Sequence, residues 1–383
     1  MTPQSLDMIT RLVGFDTVSR NSNMQLIEYV RDYLAGHGID SQLVKSQDGK
    51  KSNLFASIGP DVEGGVVLSG HTDVVPVDGQ PWDTDPFVLT EKDGKLYGRG
   101  TCDMKSFIAV ALAAVPDMLS AGLARPIHFA LSYDEEVGCV GAPALIERMV
   151  HEIAKPSAVI VGEPTSMQPI SAHKGLGAVR TTVIGHEAHS SQMQRGVSAV
   201  MTAARLITFL DDMMLSNKAK ARPDCAFVPP YTTVHVGLVH GGTALNIISR
   251  ECSFTWDVRT LPDENWRDYL DSFERYANSL LPAMQAISPS ASITTEVLAE
   301  VPPLIDSDND EAQRIAMKLS GCSCCGVVPY VTEGGQFSAH DLSVVVYGPG
   351  SIDQAHQPNE YIEVSQVDEC EVFVSKLIDQ LKQ

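Results

Sequence analysis

Residues 66–73 read VVLSGHTD. A short apolar run, valine-rich and closed by a polar His-Thr-Asp, is the pattern of a strand buried on both faces. Strands of that kind belong to parallel sheets whose two sides are covered by helices. The polar residues at its end fall where an open α/β sheet binds ligands, beyond the carboxyl ends of its strands. One stretch thus sets out both an architecture and a place for a site, provided that others like it surround it.

They do. Residues 127–133 (IHFALSY), 158–162 (AVIVG) and 343–347 (SVVVY) are equally short and apolar. Residues 104–119 and 142–153 carry apolar side chains at helical spacing, and 367–381 closes the chain as an amphipathic helix. That alternation predicts an α/β fold with a large, mostly parallel sheet. The middle of the chain differs. Residues 179–184 (VRTTVI), 232–238 (TTVHVGL), 252–258 (CSFTWDV) and 292–297 (SITTEV) alternate like half-solvated strands. Helical stretches at 198–214 and 265–281 follow the first and third of them, giving the β-α-β-β-α-β order of a ferredoxin-like unit. The expected organisation is a catalytic domain of residues 1–176 and 301–383, with a ferredoxin-like domain inserted at 177–300.

A chain of 383 residues suits two domains. Its net charge of −20 repels phosphate backbones and anionic lipid, which argues against nucleic-acid and membrane partners. Eight cysteines are scattered along a chain without a signal-peptide pattern, so reduced thiols and a cytoplasmic location are expected. Cys322, Cys324 and Cys325 cluster, but no second pair accompanies them to complete a structural zinc site.

The residues able to do chemistry share one address. His71 ends the first strand, Glu135 and Glu136 follow the second, Glu163 follows the third, and His356 lies beyond the fourth. Asp103 sits just before a helix. Each has an ordinary reading alone: a helix N-cap for Asp103, a solvated turn for the glutamates, a loop histidine for His71. Together, on one sheet edge, they make a set of metal-ligand types.

Four segments carry a resemblance: His71-Thr72-Asp73, Gly100-Thr101-Cys102-Asp103-Met104-Lys105, Glu135-Glu136 and Gly162-Glu163-Pro164. In this order they are similar to the signatures of the zinc aminoacylase, carboxypeptidase and desuccinylase superfamily of metallohydrolases. The resemblance covers essentially the whole chain, and residues 162–175 and 348–363 look most like its amino-acid deacetylases. It implies two divalent ions, zinc or else cobalt, bridged by Asp103 and a water. His71 and Glu163 would complete one ion's ligands, Glu136 and His356 the other's. Asp73 would orient His71, and Glu135 would be the general base. In the inserted domain, the lid, His189 is implied as an oxyanion-stabilising group reaching a partner subunit. Arg259 is implied as the holder of the substrate's α-carboxylate, and Asn246 as a hydrogen-bond donor to it or else a turn residue. The implied assembly is a homodimer through the lid.

The implied reaction is hydrolysis of the acetyl amide of N2-acetyl-L-ornithine to acetate and L-ornithine, within arginine biosynthesis. Another N-acyl amino acid deacylase, a succinyl-diaminopimelate desuccinylase or a dipeptidase is the alternative. A catalytically dead binding protein would not keep Glu135 beside every ligand. Glu333, in Thr332-Glu333-Gly334-Gly335, stands where desuccinylase-like relatives carry a small hydroxyl residue. It is the expected partner of the substrate's side-chain ammonium, since a buried cation needs an opposite charge.

Overall fold

The computed structural model describes residues 1–306 and 310–382. The chain divides into two compact units. The first comprises Met1–Ala172, Leu304–Val327 and Thr332–Gln383; the second comprises His173–Pro303 and Val328–Val331. The short excursion at 328–331 has no counterpart in the sequence pattern.

The first unit is built on an eight-stranded sheet. At its centre Ile127–Ser132, Val66–His71, Ala158–Val161 and Val344–Val346 run parallel. Every residue of these strands is buried or nearly so, which is why they read as continuous apolar runs. The outer strands Ser41–Lys45 and Ser52–Ile58 pair antiparallel, so the sheet is mixed with a parallel core. The parallel register sets the strand ends level: His71 lies opposite Ser132, and Ser69 opposite Val161.

Helix Lys105–Ala113 is apolar all round and buries Lys105 to Leu112, as a helix enclosed between layers must. It was expected to run on to residue 119. Pro116 has no amide proton to continue the ladder, so the chain pauses at Ala114 and restarts as Val115–Ser120. The C-terminal helix Val364–Leu381 lays Val367, Cys370, Phe373, Val374, Leu377 and Ile378 into the same core. Burying side chains of that size stabilises by roughly 1.5–3 kcal/mol each.

The second unit is a four-stranded antiparallel sheet. Thr233–Gly241, Glu251–Thr260, Gly175–Ile184 and Ser292–Val301 lie side by side in that order. Helices Ala199–Ala219 and Trp266–Gln285 connect them as β-α-β-β-α-β, with Trp256, Phe254 and Phe273 at the centre of a separate core. No described helix is long and apolar enough to cross a membrane.

Candidate metal centre

The carboxyl edge of the parallel core gathers the six predicted residues. His71 Nε2 lies 2.9 Å from Asp103 Oδ1 and 3.6 Å from Glu163 Oε1. His356 Nε2 lies 3.4 Å from Asp103 Oδ2 and 3.0 Å from Glu136 Oε2. The two oxygens of Asp103 therefore face two different histidine–carboxylate pairs. Glu135 closes around the first of these, its carboxylate within reach of His71 and Glu163.

Local structure explains how each residue arrives. Glu163 follows Gly162, where a Cβ would fall 2.0 Å from the Phe107 ring. Only glycine lets the helix pack that close to the strand end. Gly70, just before His71, is crowded in the same way by Met104. Asp103 is not a helix cap: the cap position belongs to Met104, and the Asp103 carboxylate points to the two histidines. His356 has positive φ, at 62°, and is half exposed, the most open member of the group.

Asp73 acts differently from the expectation. His71 Nδ1 hydrogen-bonds the backbone carbonyl of Asp73 at 2.9 Å, which fixes the ring, while the Asp73 carboxylate lies farther off at 3.7 Å. That carboxylate accepts the amides of Glu135 and Glu136 at 3.1 and 3.3 Å, and the hydroxyl of Ser19 at 2.7 Å. Asp73 thus holds the turn that carries both glutamates. Sequence reading also passed over Cys139, whose thiol donates to Glu135 Oε1 at 3.2 Å. Its carbonyl accepts Gln336 Nε2 at 3.0 Å. A cysteine four residues past a strand-end glutamate gives no local signal of this.

Glu333 is only 1 % exposed. Its two oxygens accept the hydroxyls of Ser69 at 2.5 Å and Ser132 at 2.6 Å. The structure thus corrects the picture of an open, uncompensated carboxylate awaiting an ammonium. Glu333 ties together the two central strands that lead to His71 and to Glu135.

The electrostatics favour cations. Among the described residues no lysine or arginine forms an ion pair with Asp103, Glu135, Glu136 or Glu163. Glu136 Oε1 and Glu163 Oε1 are buried and accept no hydrogen bond. Burial pushes Glu135 up to about 8 and Glu136 to about 7, with neighbouring carboxylates adding to it. Burial likewise lifts Glu163 well above the ordinary range. Burial would also raise Asp103, but hydrogen bonds from His356 and His71 outweigh it and hold Asp103 low. Hydrogen bonds to Asp103 and Glu136 raise His356 to about 10. Burial disfavours the charged His71 ring, yet Glu163 and Asp103 overcome it and its pKa stands well above normal. Four carboxylates, two of them with an unfilled oxygen, and two imidazoles fit two divalent ions in both charge and donor type.

The lid candidates lie in the second unit. His189 is exposed, and its Nδ1 meets Ser191 Oγ at 2.8 Å. Its loop makes an isolated β-bridge to Ile247, and the Ser190 amide donates to the Asn246 carbonyl at 2.9 Å, so the structure brings the His189 and Asn246 segments together. Arg259 sits near the far end of strand Glu251–Thr260, opposite Leu176, with Asp257 3.5 Å away. All eight cysteines are free thiols, and Cys322, Cys324 and Cys325 form no metal-binding group among the described residues.

A sheet edge of this make-up, in a chain that also carries an inserted β-α-β-β-α-β unit, is that of a hydrolase with candidate metal sites. The chain belongs to peptidase family M20/M25/M40, whose sequence profile matches residues 67–380. It is 34 % identical to an acetylornithine deacetylase of Pasteurella multocida (strain Pm70) over 386 residues, covering 99 % of this chain and 98 % of that one. To an acetylornithine deacetylase of Proteus mirabilis (strain HI4320) it is 35 % identical over 387 residues, with 98 % and 96 % covered. Among solved structures, its fold is similar to the M20 family metallo-carboxypeptidase Sso-CP2 from Sulfolobus solfataricus. There the TM-score is 0.78 at 18 % identity, with 100 % and 99 % covered. Human carnosine dipeptidase 1 matches with a TM-score of 0.74, also at 18 % identity, over 99 % and 97 %.

Proposed function

We propose that this chain hydrolyses the acetyl amide of N2-acetyl-L-ornithine to acetate and L-ornithine with two divalent ions, zinc or cobalt, within arginine biosynthesis. One observation carries the reading: the two oxygens of Asp103 face two separate histidine–carboxylate pairs. His71 and Glu163 would hold one ion, His356 and Glu136 the other, with Asp103 between them. When bound, such ions supply an acidified water and polarise the scissile carbonyl.

The chain's own groups do the rest. Glu135 takes a proton from the attacking water and returns it to the amine nitrogen as the C–N bond breaks. The Cys139 thiol occupies Oε1 of Glu135 and leaves the other oxygen for that proton. Asp73, through the two amides, keeps Glu135 and Glu136 aimed while the proton moves. Arg259 offers a planar, two-pronged donor for the α-carboxylate, and Asn246 a further hydrogen bond.

His189 stabilises the oxyanion, and lid geometry supports a homodimer. The loop of His189 follows Ile184, which pairs with Glu251, whereas Arg259 lies toward the other end of that same strand. From Glu251 to Arg259 the strand spans about 26 Å, at ~3.3 Å per residue. That length exceeds a small N-acyl amino acid, which supports His189 and Arg259 meeting one substrate from two different subunits. The substrate itself rests on the names of the two bacterial relatives. A panel of N-acylated amino acids assayed with added zinc or cobalt tests it. N2-acetyl-L-ornithine should show the highest kcat/KM. A higher value for succinyl-diaminopimelate or a dipeptide would replace the substrate.

A further inference from the structure

Glu360 is among the most deeply buried charges in the protein, 1 % exposed, and no step described so far uses it. Its Oε1 accepts three backbone amides: Gly100 at 3.1 Å, Cys102 at 2.8 Å and Asp103 at 3.0 Å. Its Oε2 accepts Nη1 of Arg99, itself buried, at 2.6 Å. The second arm of Arg99 donates to Gln80 Oε1 at 2.7 Å, where the Trp82 indole donates as well, at 3.1 Å. Gln80 Nε2 then donates to the carbonyl of His356 at 3.0 Å. The Gly98 amide donates to the Glu360 carbonyl, and Tyr361 pairs with Tyr97. The segment that carries His356 is thus stitched along the segment that carries Asp103.

A buried carboxylate beside a site already crowded with carboxylates raises the cost of that crowding. Neutralising Arg99 does not account for the three amides on the other oxygen. Those amides belong to the loop that ends in Asp103, the residue facing both histidine pairs. We propose that Glu360 is a positioning residue that, with Arg99 and Gln80, sets Asp103 and His356 in register before any ion binds. This rests on the two-ion reading above. It adds that the affinity of the centre depends on a residue that touches neither ion. Partners of ligands in this position commonly contribute 10–100-fold in metal affinity.

The test is a cobalt titration of the metal-stripped full-length protein, followed by the visible absorption of bound Co2+ and without substrate. Glu360→Gln should fold with wild-type circular dichroism and bind cobalt about 10–100-fold more weakly. Leu377→Ala, a core truncation in the C-terminal helix, should lower the melting temperature yet leave the cobalt titration unchanged. Arg99→Met/Glu360→Met removes both charges. It should remain weak in cobalt, because the three amides still lack their acceptor; full recovery would reduce Glu360 to a counter-charge and overturn the proposal. Wild-type cobalt affinity in Glu360→Gln would also overturn it. If Glu360→Gln does not fold, Gln80→Ala decides, since it cuts the link to His356 and releases one arm of Arg99 and the Trp82 indole, while Glu360 keeps its three amides. Weaker cobalt binding supports the proposal, and an unchanged titration refutes it. A wild-type protein that binds no cobalt at all would instead sink the two-ion reading.

Discussion

At the edge of the eight-stranded sheet, the turn that bears Glu135 and Glu136 hangs on Asp73, and the loop that bears Asp103 hangs on Glu360. The strands leading to His71 and Glu135 are tied by Glu333. Around the four-stranded sheet the expected functional groups are held far more lightly. His189 meets Ser191 and Arg259 meets Asp257, each only two residues away along the chain. The contrast separates two tasks. Groups that bind ions or move a proton need fixed geometry, so buried hydrogen bonds spanning large sequence distances hold them. Groups proposed to meet the substrate from the second unit are held by short local contacts and left largely exposed.

The largest expected effect falls on the rigid side. Glu135→Gln should keep both ions and lose turnover by ~10²–10⁴-fold, the usual contribution of a general base. Metal analysis beside single-substrate kinetics checks it. Loss of an ion rather than of turnover would exchange the roles of Glu135 and Glu136.

The lid side is tested by mixing. Glu135→Gln and His189→Ala are each expected to be nearly inactive. Once subunits exchange, hybrid dimers contain one site with both groups intact, and activity should return. Demonstrated exchange with no recovered activity would place His189 in its own subunit's site or outside catalysis.

The smallest effect concerns Glu333. With both oxygens engaged by serine hydroxyls, Glu333→Gln should lower kcat/KM for N2-acetyl-L-ornithine and for N-acetylmethionine by similar factors. A selective loss on the ornithine substrate, about ten- to hundredfold for a charged hydrogen bond of roughly 1.5–3 kcal/mol, would return Glu333 to the substrate's ammonium. That result would also show that the fixed side of the molecule reads the substrate directly.

Much of the rigid half was legible. Strands buried on both faces advertise themselves as short apolar runs, and the residues just past them fall on one edge because the parallel register levels the strand ends. His71, Glu136 and Glu163 are read in this way; Asp103, just before a helix, and His356, ten residues past its strand, join them as metal-ligand types. What holds them was not legible. Glu360 reaches the Gly100–Asp103 loop across about 260 residues, and Asp73 reaches the glutamate turn across 62 and 63. Hydrogen bonds at such separations leave no periodicity in the chain. Glu360 reads as one more glutamate after an asparagine, and Glu333 as a loop acid, because burial is decided by the packing of distant segments. The break at Ala114 was legible in principle: Pro116 was there to be read, and the apolar spacing on either side masked it.

A two-ion hydrolytic centre at the sheet edge stands or falls with its ions. Stripping the protein with a chelator, assaying it, and restoring zinc or cobalt while counting ions per chain tests this most directly. No amide hydrolysis is expected in the stripped protein, with activity recovering as two ions per chain are bound. Full activity in protein shown to be free of metal would contradict it.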